Sequence, residues 1–158
     1  MFCGMELVLD QLQHSVHDDV GPAGAAALID QGLGDFNDAA APLHEVQPLS
    51  CFVHDAAGQL LGGAVGRSWG ACCELQQLWV HAAWRRRGVG SALVRQFEAR
   101  AGECGCNLFY LETFNFQAPA LYRGLGWEVA LANDFYPHGI VKYTLHKVVR
   151  QNAPAGTS

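Results

Sequence analysis

The stretch LWVHAAWRRRGVGS, residues 78–91, decides the fold, because it joins an apolar segment to a glycine-containing segment through three consecutive arginines. The apolar residues before His81 predict a β-strand, and the apolar spacing after Gly88 predicts a helix. The first turn of a helix presents unpaired N–H groups and the positive end of the helix dipole. Glycine admits close backbone contact, and arginine can reach phosphate oxygens. The stretch therefore predicts an anion-binding loop where the helix begins.

Two common phosphate-binding motifs do not fit this loop. A P-loop needs Gly-Lys followed by Ser or Thr, which the stretch lacks. A dinucleotide-binding fingerprint needs a third glycine, but Leu93 occupies that position. A solvated arginine loop before an ordinary helix remains the alternative interpretation of the stretch by itself.

The flanking sequence predicts a mixed sheet with helices on both faces. Val89, Leu93, Phe97 and Ala101 recur every four residues, which predicts an amphipathic helix that ends near Gly102. Strands are predicted over 6–12, 49–54, 60–67, 72–81, 107–114, 127–132 and 140–149. Further helices are predicted over 18–37, interrupted at Gly32 and Gly34, and over 118–125, with a loop or short helix over 38–48. The segment Asp55-Ala-Ala-Gly58 predicts a hairpin between two of the strands.

Length and composition predict one folded domain over residues 1–150 and a disordered tail over 151–158. Half of the 158 residues are hydrophobic and 16% are charged, which argues against a disordered regulator. No apolar run approaches the roughly 20 residues that a membrane helix needs, and the first residues lack the pattern of a secretory signal. We therefore expect a soluble, cytoplasmic protein that does not associate with membranes.

Charge and cysteine patterns narrow the class of ligand. Residues 1–66 hold nine acids and no Lys or Arg, whereas 67–158 hold all ten basic residues and six acids. This split suits a protein that holds an anion with one half and admits a cation near the other, although chance placement explains it equally well. An acidic chain with one short basic run is a poor candidate for binding nucleic acid. The six cysteines and seven histidines lack metal-ligand spacing, so we expect reduced thiols and no metal site.

Two motifs together resemble the GNAT superfamily of N-acetyltransferases. Arg85-x-x-Gly88-x-Gly90 after a strand resembles the loop by which that family binds the pyrophosphate of acetyl-CoA. Asn115-x-x-Ala118, followed by Leu121-Tyr122-x-x-x-Gly126-Trp127, resembles a second family segment, with Trp where the family has Phe. The matching stretch covers residues 74–128, and Ala82-Ala83-Trp84 departs from the family pattern of Pro, an acid and an aromatic.

The resemblance implies a mixed, mostly antiparallel sheet of six to seven strands, the GNAT acyl-CoA N-acyltransferase fold. It implies acetyl-CoA as co-substrate, an amine as acceptor, direct attack in a ternary complex, and no covalent enzyme intermediate. A homodimer is compatible with it, because many family members pair through their C-terminal strands. The residues it assigns to acetyl-CoA binding are Leu78, Trp79, Val80, Arg85, Arg86, Arg87, Gly88, Val89, Gly90, Ser91 and Asn115.

The resemblance also assigns catalytic roles. Tyr122 matches the general acid that protonates the departing thiolate, which a phenol can do. Glu74 matches the general base of the histone-acetylating branch, although other branches carry an acid at the position of Gln76. Glu74 would share a strand face with Gln76 and Leu78 by simple alternation; it could equally be a surface acid, with a water chain carrying the proton. A backbone N–H at Trp79 or Val80 would stabilise the oxyanion.

The acceptor is predicted to be a small cationic amine. The resemblance places the acceptor pocket between the first helices and the last hairpin, where this chain has carboxylates and aromatics, and we assign Asp35, Phe36 and Tyr136 to it. Three alternatives remain open: a non-catalytic CoA-binding sensor, an enzyme that uses a longer acyl-CoA, and a phosphate-binding module unrelated to CoA.

Overall fold

A computed structural model describes residues 13–149 of the chain. By its internal contacts the chain divides into two compact units, Met1–Leu43 and His44–Ser158. The predicted strand over 6–12 and the predicted tail over 151–158 lie outside the described residues, and a single domain over 1–150 stays a prediction. Within residues 13–149, no helix combines the length and the apolar character needed to cross a membrane.

In the described part of the first unit, an α-helix, α1, spans Ala25–Ala40. The predicted start near residue 18 is wrong, because Gly21 and Gly24 adopt left-handed backbone angles that exclude a helix there. The predicted interruption at Gly32 and Gly34 is also wrong, since a glycine costs a helix only about 1 kcal/mol. Asp35 and Phe36 lie on α1, and none of its side chains is buried.

The second unit is built on a six-stranded sheet in the order β1-β2-β3-β4-β6-β5. Its strands are β1 (Gln47–His54), β2 (Leu60–Trp69), β3 (Cys72–Val80), β4 (Leu108–Phe114), β5 (Glu128–Asn133) and β6 (Lys142–Val148). Its helices are α2 (Val89–Glu103), which connects β3 to β4, and α3 (Pro119–Gly124), which connects β4 to β5. Only β3 and β4 pair in parallel, so the predicted mixed, mostly antiparallel sheet is confirmed.

The core of this unit forms where α2 packs on the sheet. Leu93, Phe97 and Ala101 are buried in one cluster with residues of β4 and β6, as their four-residue spacing predicts. The predicted hairpin between β1 and β2 is likewise confirmed. At its turn, Asp55 Oδ1 accepts hydrogen bonds from the N–H groups of Ala57 and Gln59, both at 2.9 Å.

A β-bulge in β3 changes which side chains face the core. Val65 pairs with Gln77 while Gly66 pairs with Leu75, so Gln76 is an extra residue without a partner on β2. Leu75 is buried before the bulge, and Leu78 packs against the core after it. The expectation that Glu74, Gln76 and Leu78 share one face is therefore wrong, because the bulge breaks the two-residue alternation between them.

The parallel pairing of β3 and β4 is short. Three residue pairs connect the strands, from Cys72 with Leu108 to Glu74 with Tyr110. The remainder of β3, from Leu75 to Val80, has no partner on β4. The two strands therefore separate towards the C-terminal end of β3 and leave an opening in the sheet beside the start of α2.

Substitution of Gly66 tests the packing at the bulge. A Cβ there would collide with the Glu74 carbonyl oxygen and come within 2.8 Å of the Phe97 ring. We expect Gly66→Ala to lower the free energy of unfolding by about 3 kcal/mol. As a control, Gly102→Ala adds a methyl group to α2 in open space and should raise it by about 0.5–1 kcal/mol. Urea unfolding measures both, and equal stability of the two variants would contradict the bulge geometry.

Candidate active site

The opening between β3 and β4 forms a cavity of about 730 Å³. The cavity lies where β3, the loop after it, the start of α2, β4 and the start of α3 meet. Its lining residues are Gln76, Gln77, Leu78, Trp79, Val80, Arg85, Arg86, Gly90, Glu112, Phe116, Gln117, Ala118 and Leu121. This volume is in the range typical of small-molecule sites, roughly 300–1,000 Å³.

The free edge of β3 directs backbone polar groups into this opening. In an antiparallel pair, residues that bond the neighbouring strand alternate with residues whose N–H and C=O point away. The His81 N–H donates to the Leu61 carbonyl on β2 at 2.8 Å, so Trp79 also faces β2. Leu78 and Val80 therefore face away from β2. Of the two oxyanion donors that the sequence suggested, this alternation favours the N–H of Val80 over that of Trp79.

The loop between β3 and α2 presents a second set of N–H groups. The first hydrogen bond of α2 runs from the Ala92 N–H to the Gly88 carbonyl at 2.9 Å. The N–H groups of Val89, Gly90 and Ser91 consequently have no acceptor within the helix. Gly88 has no side chain to cap them, and its φ of 84° is left-handed, a region that favours glycine. The helix therefore begins where the sequence predicts, and its first N–H groups are of the kind that suits an anion; anion binding itself stays a prediction.

The three arginines of the loop differ in where they point. Arg85 and Arg86 line the cavity. The Arg85 Nε donates a 3.0 Å hydrogen bond to the Val80 carbonyl, and this bond holds the loop against the free edge of β3. The Arg87 guanidinium instead lies over the Trp84 ring, 5.3 Å from its centre, and is not among the lining residues.

The two loop glycines serve different purposes. A Cβ on Gly88 would meet nothing within 4 Å, so glycine is needed there for its backbone angle. A Cβ on Gly90 would lie 3.1 Å from the Leu121 side chain of α3. Gly90 therefore allows α2 and α3 to approach each other closely at the cavity, a packing role that the sequence did not indicate.

Tyr122 lies on α3 next to the lining residue Leu121 and is only 6% exposed. Burial raises the pKa of its hydroxyl to about 12, so the group stays protonated at neutral pH. Its ring contacts the Trp127 ring edge to face, with centres 5.9 Å apart. No side-chain N or O atom of the described residues is both fully buried and without a hydrogen bond.

Two carboxylates lie near the opening in different surroundings. Glu74 Oε2 accepts a 2.7 Å hydrogen bond from Arg67 Nε, and Glu74 does not line the cavity. Burial and the neighbouring Glu74 carboxylate raise the pKa of the Tyr110 hydroxyl. Glu112 does line the cavity, and its Oε2 contacts Lys142 Nζ at 2.5 Å. Glu112 is not among the predicted site residues, because no local pattern marks it and its place at the diverging end of β4 depends on the tertiary fold.

Asn115 and Tyr136 lie beside the cavity rather than in its lining. The Asn115 amide donates to the Gly139 carbonyl at 2.9 Å, which ties the loop after β4 to the turn before β6. The Tyr136 ring meets Phe114 edge to face, with centres 5.7 Å apart. Phe114 in turn stacks on Phe116, which is largely exposed and lines the cavity.

The cysteines of the second unit are placed away from this opening. Cys73 and Cys106 are buried, as expected for small apolar residues. Burial, with the neighbouring thiols as a smaller cause, raises the pKa of the Cys73 thiol to about 12. In the described part of the chain, no three side chains of His, Cys, Asp or Glu are grouped to hold a metal ion.

Comparison with known proteins identifies a family and a relative. The sequence profile of the acetyltransferase (GNAT) family matches residues 15–127. The blasticidin-S acetyltransferase of Streptomyces morookaense is 38% identical over 110 residues, which cover 67% of this chain and 81% of the relative.

Solved structures share the fold. An acetyltransferase from Bacillus cereus ATCC 14579 is 26% identical, with a TM-score of 0.70 over 85% of this chain and 98% of that one. A protein from Bacillus anthracis str. Ames, assigned as a streptothricin acetyltransferase and solved in complex with acetyl coenzyme A, is 19% identical. It matches with a TM-score of 0.58 over 66% of this chain and 64% of that one.

A glutamate in the loop tests whether acetyl-CoA binds there. Gly88→Glu places a carboxylate beside the N–H groups of α2, and we expect affinity for acetyl-CoA to fall roughly 100-fold by calorimetric titration. Gly58→Glu is the matched control, because Gly58 has nearly the same left-handed φ, 83°, and equally open surroundings in the β1–β2 turn. Equal affinity of the two variants would place the binding site elsewhere.

Proposed function

Since this chain belongs to the GNAT family and is an N-acetyltransferase, we propose that it acetylates the amino group of a small cationic acceptor by direct attack within a ternary complex. The observation that carries the proposal is the opening between β3 and β4, where the Val80 N–H lies on the free edge of β3. The thioester of acetyl-CoA supplies the acetyl group and a thiolate leaving group.

The residues around the opening fit acetyl-CoA. The N–H groups of Val89, Gly90 and Ser91 suit a pyrophosphate, because they combine unpaired donors with the positive end of the α2 dipole. Arg85 and Arg86 add charge from the cavity wall. The outward-facing backbone of Leu78 can bond an amide-containing arm laid along β3, as another strand would. Trp79, Arg87 and Asn115 stay predicted contacts from the resemblance.

Val80 is the proposed oxyanion donor. Its N–H lies on the strand edge that lacks a partner, so it need not break a protein hydrogen bond to donate to the thioester oxygen. Such a fixed donor stabilises charge that develops only in the transition state, which is worth roughly 100-fold or more in rate.

Tyr122 is the proposed general acid. Its pKa of about 12 keeps the proton on the hydroxyl until a thiolate departs nearby. A free thiol has a pKa near 8.5, well below that of Tyr122, so the thiolate takes this proton only where the site stabilises the phenolate that is formed.

Glu112 is the carboxylate best situated to deprotonate the acceptor amine, because it lines the cavity whereas Glu74 does not. Like Glu74, it is one half of an ion pair, with Lys142 Nζ beside its Oε2. Glu74, the base suggested by the resemblance, is held by Arg67, and a water chain remains the other route for the proton.

The part of the cavity wall that carries Glu112 suits a cationic acceptor. Glu112 supplies negative charge, while Trp79 and Phe116 expose aromatic surface beside it. The activity of the Streptomyces morookaense relative supports a small-molecule acceptor and makes blasticidin-S the first compound to test. Asp35 and Phe36 of α1, and Tyr136, remain predicted acceptor contacts.

Thiol release from acetyl-CoA tests the proposed function. We expect turnover with blasticidin-S or other small cationic amines, and none with neutral or acidic compounds of similar size. Longer acyl-CoA substrates are tested in parallel, and faster turnover with one of them than with acetyl-CoA would favour an enzyme that uses a longer acyl-CoA. Tight binding of acetyl-CoA without turnover of any amine would favour the CoA-binding sensor. Preference for a nucleotide over CoA would favour a phosphate-binding module.

Paired substitutions distinguish the two candidate bases. We expect Glu112→Gln to lower kcat/KM about 100-fold at neutral pH, because an amide cannot accept the proton of the acceptor amine. Glu74→Gln should change kcat/KM by less than about threefold, because it breaks an ion pair with the half-exposed Arg67 outside the cavity. The reverse order of effects would assign the base to Glu74, and two small effects would favour a water chain.

Tyr122→Phe should lower kcat about 10- to 100-fold while leaving the KM for acetyl-CoA within about twofold. Because the pKa of Tyr122 is raised, its proton is retained across the usual assay range. The wild-type kcat should therefore not fall through loss of this proton up to about pH 10.5. Tyr143→Phe, in a partly buried position on β6, is the matched control. Equal kcat values in the two variants would exclude Tyr122 as the acid.

A further inference from the structure

Glu98 is a nearly buried carboxylate that the proposed mechanism does not use. It lies on α2 with its side chain 13% exposed. Its Oε1 accepts a 2.7 Å hydrogen bond from the indole N–H of Trp127, and its Oε2 accepts a 2.6 Å bond from Lys147 Nζ. Both oxygens are thus bonded to groups on other elements, which joins α2 to β6 and to the residue that precedes β5.

The same network reaches the end of α3. Lys147 Nζ also donates to the Leu125 carbonyl at 2.8 Å, directly after the last turn of that helix. The Trp127 backbone N–H donates to the Tyr122 carbonyl at 3.1 Å. With six residues, α3 is too short to hold its own geometry, so contacts of this kind determine where it lies.

Trp127 connects this network to the proposed general acid. Its indole is only 2% exposed and lies between the rings of Tyr122 and Phe109, at centre distances of 5.9 and 6.3 Å. The motif to which this segment is similar has Phe at the position of Trp127. A phenylalanine ring could make the aromatic contacts but has no N–H for Glu98.

The free-energy cost of burying the Glu98–Lys147 ion pair indicates that the pair does more than stabilise the fold. Removing a carboxylate and an ammonium from water is expensive, and apolar residues of similar size often replace such a pair without loss of stability. Here Glu98 bonds the N–H of one indole ring, and that ring packs edge to face against the Tyr122 ring. A charge-assisted hydrogen bond is strong and directional, so it is well suited to orient the group that it bonds.

We propose that Glu98, held by Lys147, orients the Trp127 indole and thereby positions the Tyr122 hydroxyl for proton donation to the departing thiolate. Glu98 and Trp127 act as positioning residues, since their effect on the reaction passes through the Tyr122 side chain that Trp127 contacts. This inference rests on the proposed role of Tyr122.

Single substitutions separate the bonds of the network. Trp127→Phe keeps an aromatic ring but removes the bond to Glu98, and we expect kcat to fall 5- to 20-fold with the KM for acetyl-CoA unchanged within twofold. Glu98→Gln keeps an acceptor for the indole and should lower kcat less. Glu103→Gln is the matched control, because Glu103 lies on the same helix in an exposed pair with Arg100. It should leave kcat unchanged.

Combination with Tyr122→Phe distinguishes positioning from general destabilisation. If Trp127 acts through the Tyr122 hydroxyl, Trp127→Phe should lower kcat less than twofold when the hydroxyl is already absent. An equal loss in both backgrounds would overturn the proposal, as would unchanged kcat in Trp127→Phe alone. If Tyr122→Phe alone leaves kcat unchanged, both the assignment of Tyr122 as the acid and the present proposal fail. If Tyr122→Phe lowers kcat but Trp127→Phe leaves it unchanged, the assignment of the acid stands and only the present proposal fails.

A variant that removes both charges guards against loss of folding. The double substitution Glu98→Gln/Lys147→Met leaves no buried charge without a partner and keeps an amide oxygen that can accept from the Trp127 indole. If Trp127→Phe does not fold, this double variant takes its place, with an expected two- to fivefold loss of kcat that again disappears in the Tyr122→Phe background. Persistence of that loss when Tyr122→Phe is added would overturn the proposal.

Discussion

The site depends on the failure of two neighbouring strands to stay paired. β3 and β4 share three residue pairs and then separate, so one edge of β3 keeps its N–H and C=O groups unbonded within the sheet. An unpaired strand edge buried in a protein is unfavourable unless a ligand or water satisfies it. The same separation creates the cavity, directs Val80 towards it, and places the first turn of α2 at its rim.

Other features of the second unit are consistent with this separation. The bulge at Gln76 bends β3 and turns Leu78 and Val80 towards the core, so α2 can pack beneath the diverging part of the strand. A Cβ at Gly66, opposite the bulge, would collide with Glu74, and a Cβ at Gly90, at the start of α2, would lie only 3.1 Å from the Leu121 side chain. The hydrogen bonds of Glu98 with Trp127 and of Lys147 with the Leu125 carbonyl hold α3, which carries Tyr122, against the core.

Local patterns predicted most of the fold of the second unit, but not the details that complete the site. The β1–β2 hairpin, the buried stripe of α2 and the anion-binding loop each depend on residues close in sequence. The bulge could not be predicted, because it depends on register against β2. Glu112 and the bond from Trp127 to Glu98 depend on contacts between residues distant in sequence. The predicted start of α1 is wrong because nothing in the sequence distinguishes Gly21 and Gly24, which adopt positive φ before the helix, from the glycines inside it.

Amide chemical shifts of β3 during titration with acetyl-CoA test the central claim most directly. If the free edge of β3 binds acetyl-CoA, the amide protons of Leu78 and Val80 should shift and exchange more slowly with solvent at saturation. The amide of Trp79, which bonds β2, should change little. A response at Trp79 with none at Leu78 and Val80, or no response at all three under saturating acetyl-CoA, would contradict the account.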